Sequence, residues 1–278
     1  MWTPTTRRQY SRGELRYESD LSHKEWRLIA VWMPPQSAQG RPMAWSWREI
    51  VNAIFYTMRS GCPWRFLPEG FPPWQTVYRW FAAFRDSGLF ERINHGLVMA
   101  DRQRVGREAS PSAAIIDSQS VKTTESGGPV GYDAGKKIKG RKRHILTDTD
   151  GNLVHALIHT ADIQDRDGAP LLLAEIIHRF PWLRHLFADG GYAGDKLKDA
   201  LRRIGKWTIE IIKRSDAAKG FELLPRRWVV ERTLAWLNRN RRLAKDFEQT
   251  IASATAWLFI ASVQLFIRRI ARPSNHSE

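Results

Sequence analysis

Cysteine is nearly missing from this chain. Cys62 is its one thiol, so no internal disulfide forms and no cysteine-based metal site exists. A reducing cytoplasm is the compartment expected. Long apolar runs are missing too. The most apolar segment, 254–267, contains Ser262 and Gln264; it is too short to span a bilayer, reads as a buried helix, and no membrane association is expected. The first ten residues hold Arg7 and Arg8 with no apolar stretch behind them, so no secretory signal is expected. There is no internal repeat and no low-complexity tract. Acidic residues are scarce, 29 against 44 Lys and Arg, which leaves a formal charge of +15. Such a surplus speaks about partners rather than fold, and a polyanion such as nucleic acid is the partner it points to.

What is present argues for a folded protein. Hydrophobic residues make up 42% of the 278, with 13 Trp among them, which is enough to build a large core and excludes a simple basic tail. The first hundred residues carry three helical patterns. Ser22 caps one that runs to Trp32, with Leu21, Trp26, Leu28 and Ile29 as its apolar surface. A second spans 47–58, where Ile50, Val51, Ile54, Phe55 and Met58 recur at helical spacing. Proline and glycine then interrupt the chain, and a third helix follows from Gln75. Its apolar face is Val77, Trp80, Phe81 and Phe84, which leaves Gln75, Thr76, Tyr78 and Arg79 pointing elsewhere. The gap between these two helices is too long for a tight helix-turn-helix, so either a short helix forms at 64–67 or the motif is a variant. A polar stretch, 101–112, links to a second domain, and the division expected is 1–105 and 106–278.

From residue 113 the period changes to that of strands. Residues 113–117 form a short apolar run ended by Asp117; 142–148 and 153–160 read as two strands joined by a turn at Asp150-Gly151. A helix follows around 171–180, then a strand over 183–188 closed by Asp189-Gly190-Gly191, a helix over 195–203 and a strand over 207–213. Two helices, 226–245 and 249–270, complete the pattern. Strands interleaved with helices predict an α/β layer with a mixed sheet, preceded by a small all-α domain.

Three acids stand out. Asp117 and Asp189 each end a strand, and Glu231 lies inside a helix. They are 72 and 42 residues apart, so only the fold brings them together. Two-metal phosphoryl transfer needs such oxygen ligands, with two divalent ions held within about 4 Å of each other. Taken singly each acid has a plainer reading: an Asp at a strand end is often a turn or cap residue, as Asp148, Asp150, Asp162 and Asp165 are taken to be. Glu231 stands one turn from Arg227, the spacing of a solvated ion pair.

Residues 115–118 (Ile-Ile-Asp-Ser), 187–192 (Phe-Ala-Asp-Gly-Gly-Tyr) and 227–232 (Arg-Trp-Val-Val-Glu-Arg) resemble the three motif blocks of DDE transposases, most closely the insertion-sequence-five family. Residues 64–68, 72–74, 76–81 and 140–144 resemble other parts of that family, so the likeness covers nearly the whole chain. It implies an RNase H-like catalytic domain behind a helix-turn-helix-like domain that binds DNA ends. It also implies Asp117, Asp189 and Glu231 as catalytic and metal-binding residues, two Mg2+ or Mn2+ ions as cofactors, and strand cleavage and joining at the terminal inverted repeats of an insertion sequence. A homodimer on double-stranded DNA, associated with the bacterial nucleoid, goes with that picture. The chain departs from the superfamily's third block by having Leu224 at its Tyr place and Asn238 at its Lys place; Arg239 or Arg242 is left to supply the cation. On one continuous helix Arg227, Asn238 and Arg242 would fall within about 40° of Glu231.

Lys136, Lys137, Lys139, Arg141, Lys142 and Arg143 fall within eight residues. A charge run is usually a solvated surface, but beside the strand of Asp117 it is expected to track DNA phosphates. Gln75, Thr76, Tyr78 and Arg79 are expected to reach DNA from the third helix, with Arg227, Arg239 and Arg242 adding contacts near the acids. His144, His155 and His159 lie on strands without metal-ligand spacing and read as structural or phosphate-facing. Two other readings fit the same residues: a nuclease or resolvase on this fold, which cleaves without joining, and a non-catalytic DNA-binding regulator.

Overall fold

The computed structural model describes residues 3, 4, 7, 10–35, 42–212 and 224–272. Three of its α-helices begin where a polar side chain takes up a free backbone N–H group of the first turn. Ser22 caps α1 (His23–Ala30) in a reciprocal arrangement with Glu25, and Ser46 caps α2 (Trp47–Ser60), each replacing hydrogen bonds that a helix start cannot make internally. Gly61, at φ 72°, ends α2 in the left-handed conformation that glycine adopts without strain. A single 3-10 turn, Trp64–Phe66, leads to α3 (Trp74–Asp86); the short helix weighed for this gap is therefore present. A fourth helix, α4 (Leu89–Arg104), was not read from the sequence. It extends into the stretch expected to be a linker, because Asp101 and Arg102 are buried members of its inner face.

The sheet follows. Strand β1 (Ala113–Lys122) pairs antiparallel with β3 (Ile138–Asp148), which carries β2 (Gly131–Asp133) and β4 (Leu153–Thr160) on its other edge. After α5 (Asp165–Ile176), β5 (His185–Ala188) lies parallel to β1; after α6 (Asp195–Ile204), β6 (Thr208–Ile211) lies parallel to β5. The chain closes with α7 (Pro225–Leu237) and α8 (Ile251–Ile270). This mixed sheet with helices on both faces is the RNase H-like α/β layer expected. The end of the predicted strand 207–213 lies outside the described residues at position 213.

Strand alternation sorts the sheet's side chains between two cores. Ile115, Ile145, Ala156 and Ile158 pack with α7, α8 and the amino-terminal helices; Ala114, Ile116, Leu146 and Val154 pack with α5 and α6. The residue 105/106 division therefore marks a change of secondary structure, not a break between cores, since α1 to α4 share one core with α8. Aromatic stacking continues it: Trp257 of α8 lies 4.7 Å from the ring of Phe81 and 5.7 Å from that of Trp64. The twenty-residue α8 is, by length and composition, long and apolar enough to cross a membrane, contrary to the expectation that this segment is too short. Its place in the core accounts for its composition: Trp257, Leu258, Ile260, Ala261 and Val263 are all buried.

One helix is shorter than expected. The run 226–245 is not continuous: α7 stops at Leu237, and Arg241–Leu243 form a separate 3-10 turn. Asn238 and Asn240 intervene, residues whose side chains compete for backbone groups and weaken helices; the Asn240 amide donates to the Leu237 carbonyl.

Candidate active site

Asp117 is not at a strand end, as the sequence suggested, but in the middle of β1, opposite Ile145 of β3. What ends nearby is its parallel neighbour. The pairing of β1 with β5 runs out at Ile115 opposite Phe187. Asp117 stands two residues further along β1, and Asp189 follows directly on the end of β5 at Ala188, so both lie just past the last pair. Alternation fixes their direction as well. Asp117 shares a face with Ile115, and Asp189 follows Phe187 by two; both of those residues pack into the core beneath α7 and α8. Helix α7 crosses β1, β3 and β5 on this face and carries Glu231.

The electrostatics relate the three acids. Burial pushes the Asp117 carboxyl up to about 7; the Ser118 backbone N–H opposes the shift, while the charges of Asp189 and Glu231 add to it. Arg227 is the cation among the acids. Its Nη2 lies 3.3 Å from Glu231 and 3.9 Å from Asp189, so the ion pair one helical turn apart exists but is shared with a second carboxylate. The Asp189 carboxylate also accepts from the Gly191 N–H at 2.9 Å, and that of Asp117 from the Ser118 N–H at 2.7 Å. Lys136 approaches from the β2–β3 turn, its Nζ donating to the Ser118 carbonyl at 3.2 Å. No group of three His, Cys, Asp or Glu side chains among the described residues is drawn together closely enough to hold a metal ion. The donor chemistry nevertheless suits a hard divalent cation: three carboxylates, no sulfur, and two of them adjacent on parallel strands.

The basic run divides in two. Lys136, Lys137 and Lys139 are exposed. Arg141, Lys142 and Arg143 are buried and do not form the phosphate-facing row expected of them. Arg141 pairs with Asp246 at 3.1 Å and donates to the carbonyls of Pro129, Glu248 and Gln249. Arg143 donates to the carbonyls of Leu243 and Lys245. Lys142 lies 2.9 Å from Asp165 and 3.6 Å from Asp133. A buried cation needs such partners, and the segment beyond α7 supplies most of them.

Arg242 is corrected likewise. It lies beyond the end of α7, so the shared helical face with Glu231 does not exist. Its guanidinium pairs with Glu248 at 2.6 Å and donates to the Cys62 carbonyl. Arg239 is exposed and stays a candidate for the missing cation, whereas Asn238 accepts from Arg143 at 3.3 Å. On α3, Gln75, Tyr78 and Arg79 are exposed and Thr76 is half-buried, whereas Val77, Phe81 and Phe84 are buried; the Tyr78 ring lies against Trp64 and Phe81, at 5.7 Å and 6.4 Å. All three strand histidines are buried. Burial, with His159 adjoining, holds His144 well below its ordinary pKa and therefore neutral.

Three residues near the acids have no site role that the sequence pattern announces. Ser118 donates to Asp165 at 2.7 Å, and the hydroxyl of fully buried Tyr192 lies 3.2 Å from His144 Nδ1. Asp165 reads in the sequence as a turn or cap acid; its place at a helix start carries no local sign of a partner on β1.

A family model described as transposase DDE domain matches residues 108–266, more than half of the chain. A second, described as "Putative transposase of IS4/5 family", matches residues 21–94. A curated relative, "Putative transposase for insertion sequence element IS402" from Burkholderia cepacia, is 34% identical over 117 residues, 40% of this chain and 54% of that protein. The chain thus spans about half the length of the curated relative it matches.

Proposed function

Because the chain belongs to the transposase DDE domain family, we propose that it binds the ends of an insertion sequence and cleaves and joins DNA there, with Asp117, Asp189 and Glu231 as its catalytic carboxylates. The observation that carries this reading is that the charges of Asp189 and Glu231 both act on buried Asp117, while Arg227 on the helix of Glu231 lies 3.9 Å from Asp189 and 3.3 Å from Glu231. Membership of this family implies divalent metal use, and Mg2+ or Mn2+ matches an all-carboxylate donor set. Two such ions, when bound, supply Lewis acidity to the scissile phosphate and to the attacking water or 3′-hydroxyl. The chain's own residues do the positioning. Asp117 and Asp189 are set by their strands and by the N–H groups of Ser118 and Gly191. Arg227 offsets the charge of Asp189 and Glu231 and is close enough to them to meet a phosphate as it arrives.

DNA is held, in this reading, at two further places. Exposed Lys136, Lys137, Lys139 and Arg239 neutralise phosphates without regard to sequence. Gln75, Thr76, Tyr78 and Arg79 on α3 read the terminal repeat. A homodimer acting on two DNA ends in a bacterial cytoplasm completes the proposal. The test is a labelled duplex carrying one element end. Mg2+ or Mn2+ should support cleavage and joining, and Ca2+ should support binding with little turnover, because its coordination is larger and looser. Robust cleavage in excess chelator would overturn the metal mechanism.

A further inference from the structure

Beyond Ile115 and Phe187 no ladder hydrogen bond joins β1 to the chain leaving β5. The two strands that carry Asp117 and Asp189 therefore part at the very place where the acids must keep a fixed separation. We infer that Asp165, at the start of α5 on the opposite face of the sheet, is a positioning residue that ties these two acids together. The inference rests on the metal-binding role proposed above.

The connection can be followed atom by atom. Ser118 succeeds Asp117 in β1, so its side chain emerges on the α5–α6 face. Its backbone N–H donates to Asp117 Oδ1 at 2.7 Å, and its hydroxyl donates to Asp165 Oδ1 at 2.7 Å. The other oxygen of the same carboxylate lies against Gly191: a Cβ at that position would stand 3.1 Å from Asp165 Oδ2 and 3.1 Å from Asp189 Oδ1. Gly191 in turn donates its N–H to Asp189 Oδ1 at 2.9 Å. One carboxylate thus accepts from the residue after Asp117 and lies beside the glycine whose N–H holds Asp189. Lys142, buried in β3, holds Asp165 Oδ1 at 2.9 Å and supplies the charge balance. With Lys142 and Ser118 engaged, Asp165 orients the site from behind rather than joining it as a ligand.

Mn2+ binding, followed by electron paramagnetic resonance on the full chain without DNA, tests this separately from activity. Asp165→Ala should weaken Mn2+ binding about ten- to a hundredfold, the usual effect of removing a group that orients metal ligands. Ser118→Ala should weaken it less, and Asp165→Asn least, because the amide oxygen still accepts from Ser118. Asp167→Ala is the matched control: it removes another acid from the first turn of α5, one paired with exposed Lys196 at 2.6 Å, and should leave binding unchanged. Thermal unfolding of each variant reports folding, and if Asp165→Ala does not fold, Ser118→Ala decides. Wild-type Mn2+ affinity in Asp165→Ala or Ser118→Ala overturns the inference, as does an equal loss in Asp167→Ala. If Asp117→Asn and Asp189→Asn also bind Mn2+ like the parent, the metal-binding role itself has failed.

Discussion

Two groups of carboxylates in this protein are treated in opposite ways by their surroundings. Asp148 and Asp246 are buried, and each has its own arginine: Arg102 at 2.7 Å and Arg141 at 3.1 Å. Asp148 also accepts from the backbone N–H groups of Asp150 and Asn152 and from the Asn152 amide. Asp117, Asp189 and Glu231 converge at an open end of the parallel strands, where Arg227 reaches two of them. Among the described residues no cation lies within ion-pair distance of Asp117. The first group is neutralised in place and holds the fold together. The second has fewer cations than carboxylates, which costs stability and, under the function proposed, is what draws metal ions to it. Stability and function make opposite demands on the same residue type.

The comparison predicts effects of different size and sign. The largest belongs to the structural pairs. Asp148→Ala or Arg141→Ala strands a buried charge and should cost about 3–5 kcal/mol, read by denaturant unfolding; a cost under about 1 kcal/mol would erase the distinction. Asp117 should behave in the reverse sense. In metal-free protein the Asp117 carboxyl is pushed up to about 7 by burial, so the folded chain holds its proton only below about that pH; the unfolded chain releases it near pH 4. Stability therefore falls as pH rises from about 4 to 7 and is level above. Asp117→Asn removes this slope and should be more stable to denaturant than the parent at pH 8, by at most about 4 kcal/mol, with the difference gone near pH 4. A mutant less stable than the parent at pH 8 would contradict the account.

Smaller effects separate the exposed cations. Arg79→Ala should cost about 1–3 kcal/mol in binding to the cognate end and little on unrelated DNA, as loss of a base contact does. Lys137→Ala and Lys139→Ala should weaken both duplexes alike and flatten the salt dependence, with stability changed by less than about 0.5 kcal/mol. Binding isotherms at several salt concentrations read both halves, and equal weakening of the two duplexes by Arg79→Ala would remove α3 as the reader.

Much of this was legible in the sequence because it depends on local pattern. The cap at Ser22, the β3–β4 hairpin around Asp150-Gly151 and the apolar faces of α2 and α3 follow from spacing alone. The order of the three acid blocks was legible through family resemblance. What was not legible depends on distant partners. Lys139 and Arg141 look alike in a basic run, yet one is exposed and the other buried, because the partner Asp246 and the carbonyls of Glu248 and Gln249 arrive a hundred residues later. The helix through Arg242 failed at Asn238, where two asparagines outweigh a favourable apolar period. Asp117 read as a strand end because the polar residues after it hide a strand that β3 continues to pair as far as Lys122.

The most direct test of the central claim is a cleavage assay on one element end in Mg2+, with end binding measured in Ca2+ alongside. Asp117→Asn, Asp189→Asn and Glu231→Gln keep side-chain shape and remove ligand charge, so each should abolish strand cleavage while binding the end about as well as the parent. Cleavage at the parental rate by any of the three would show that its carboxylate does not belong to the catalytic centre.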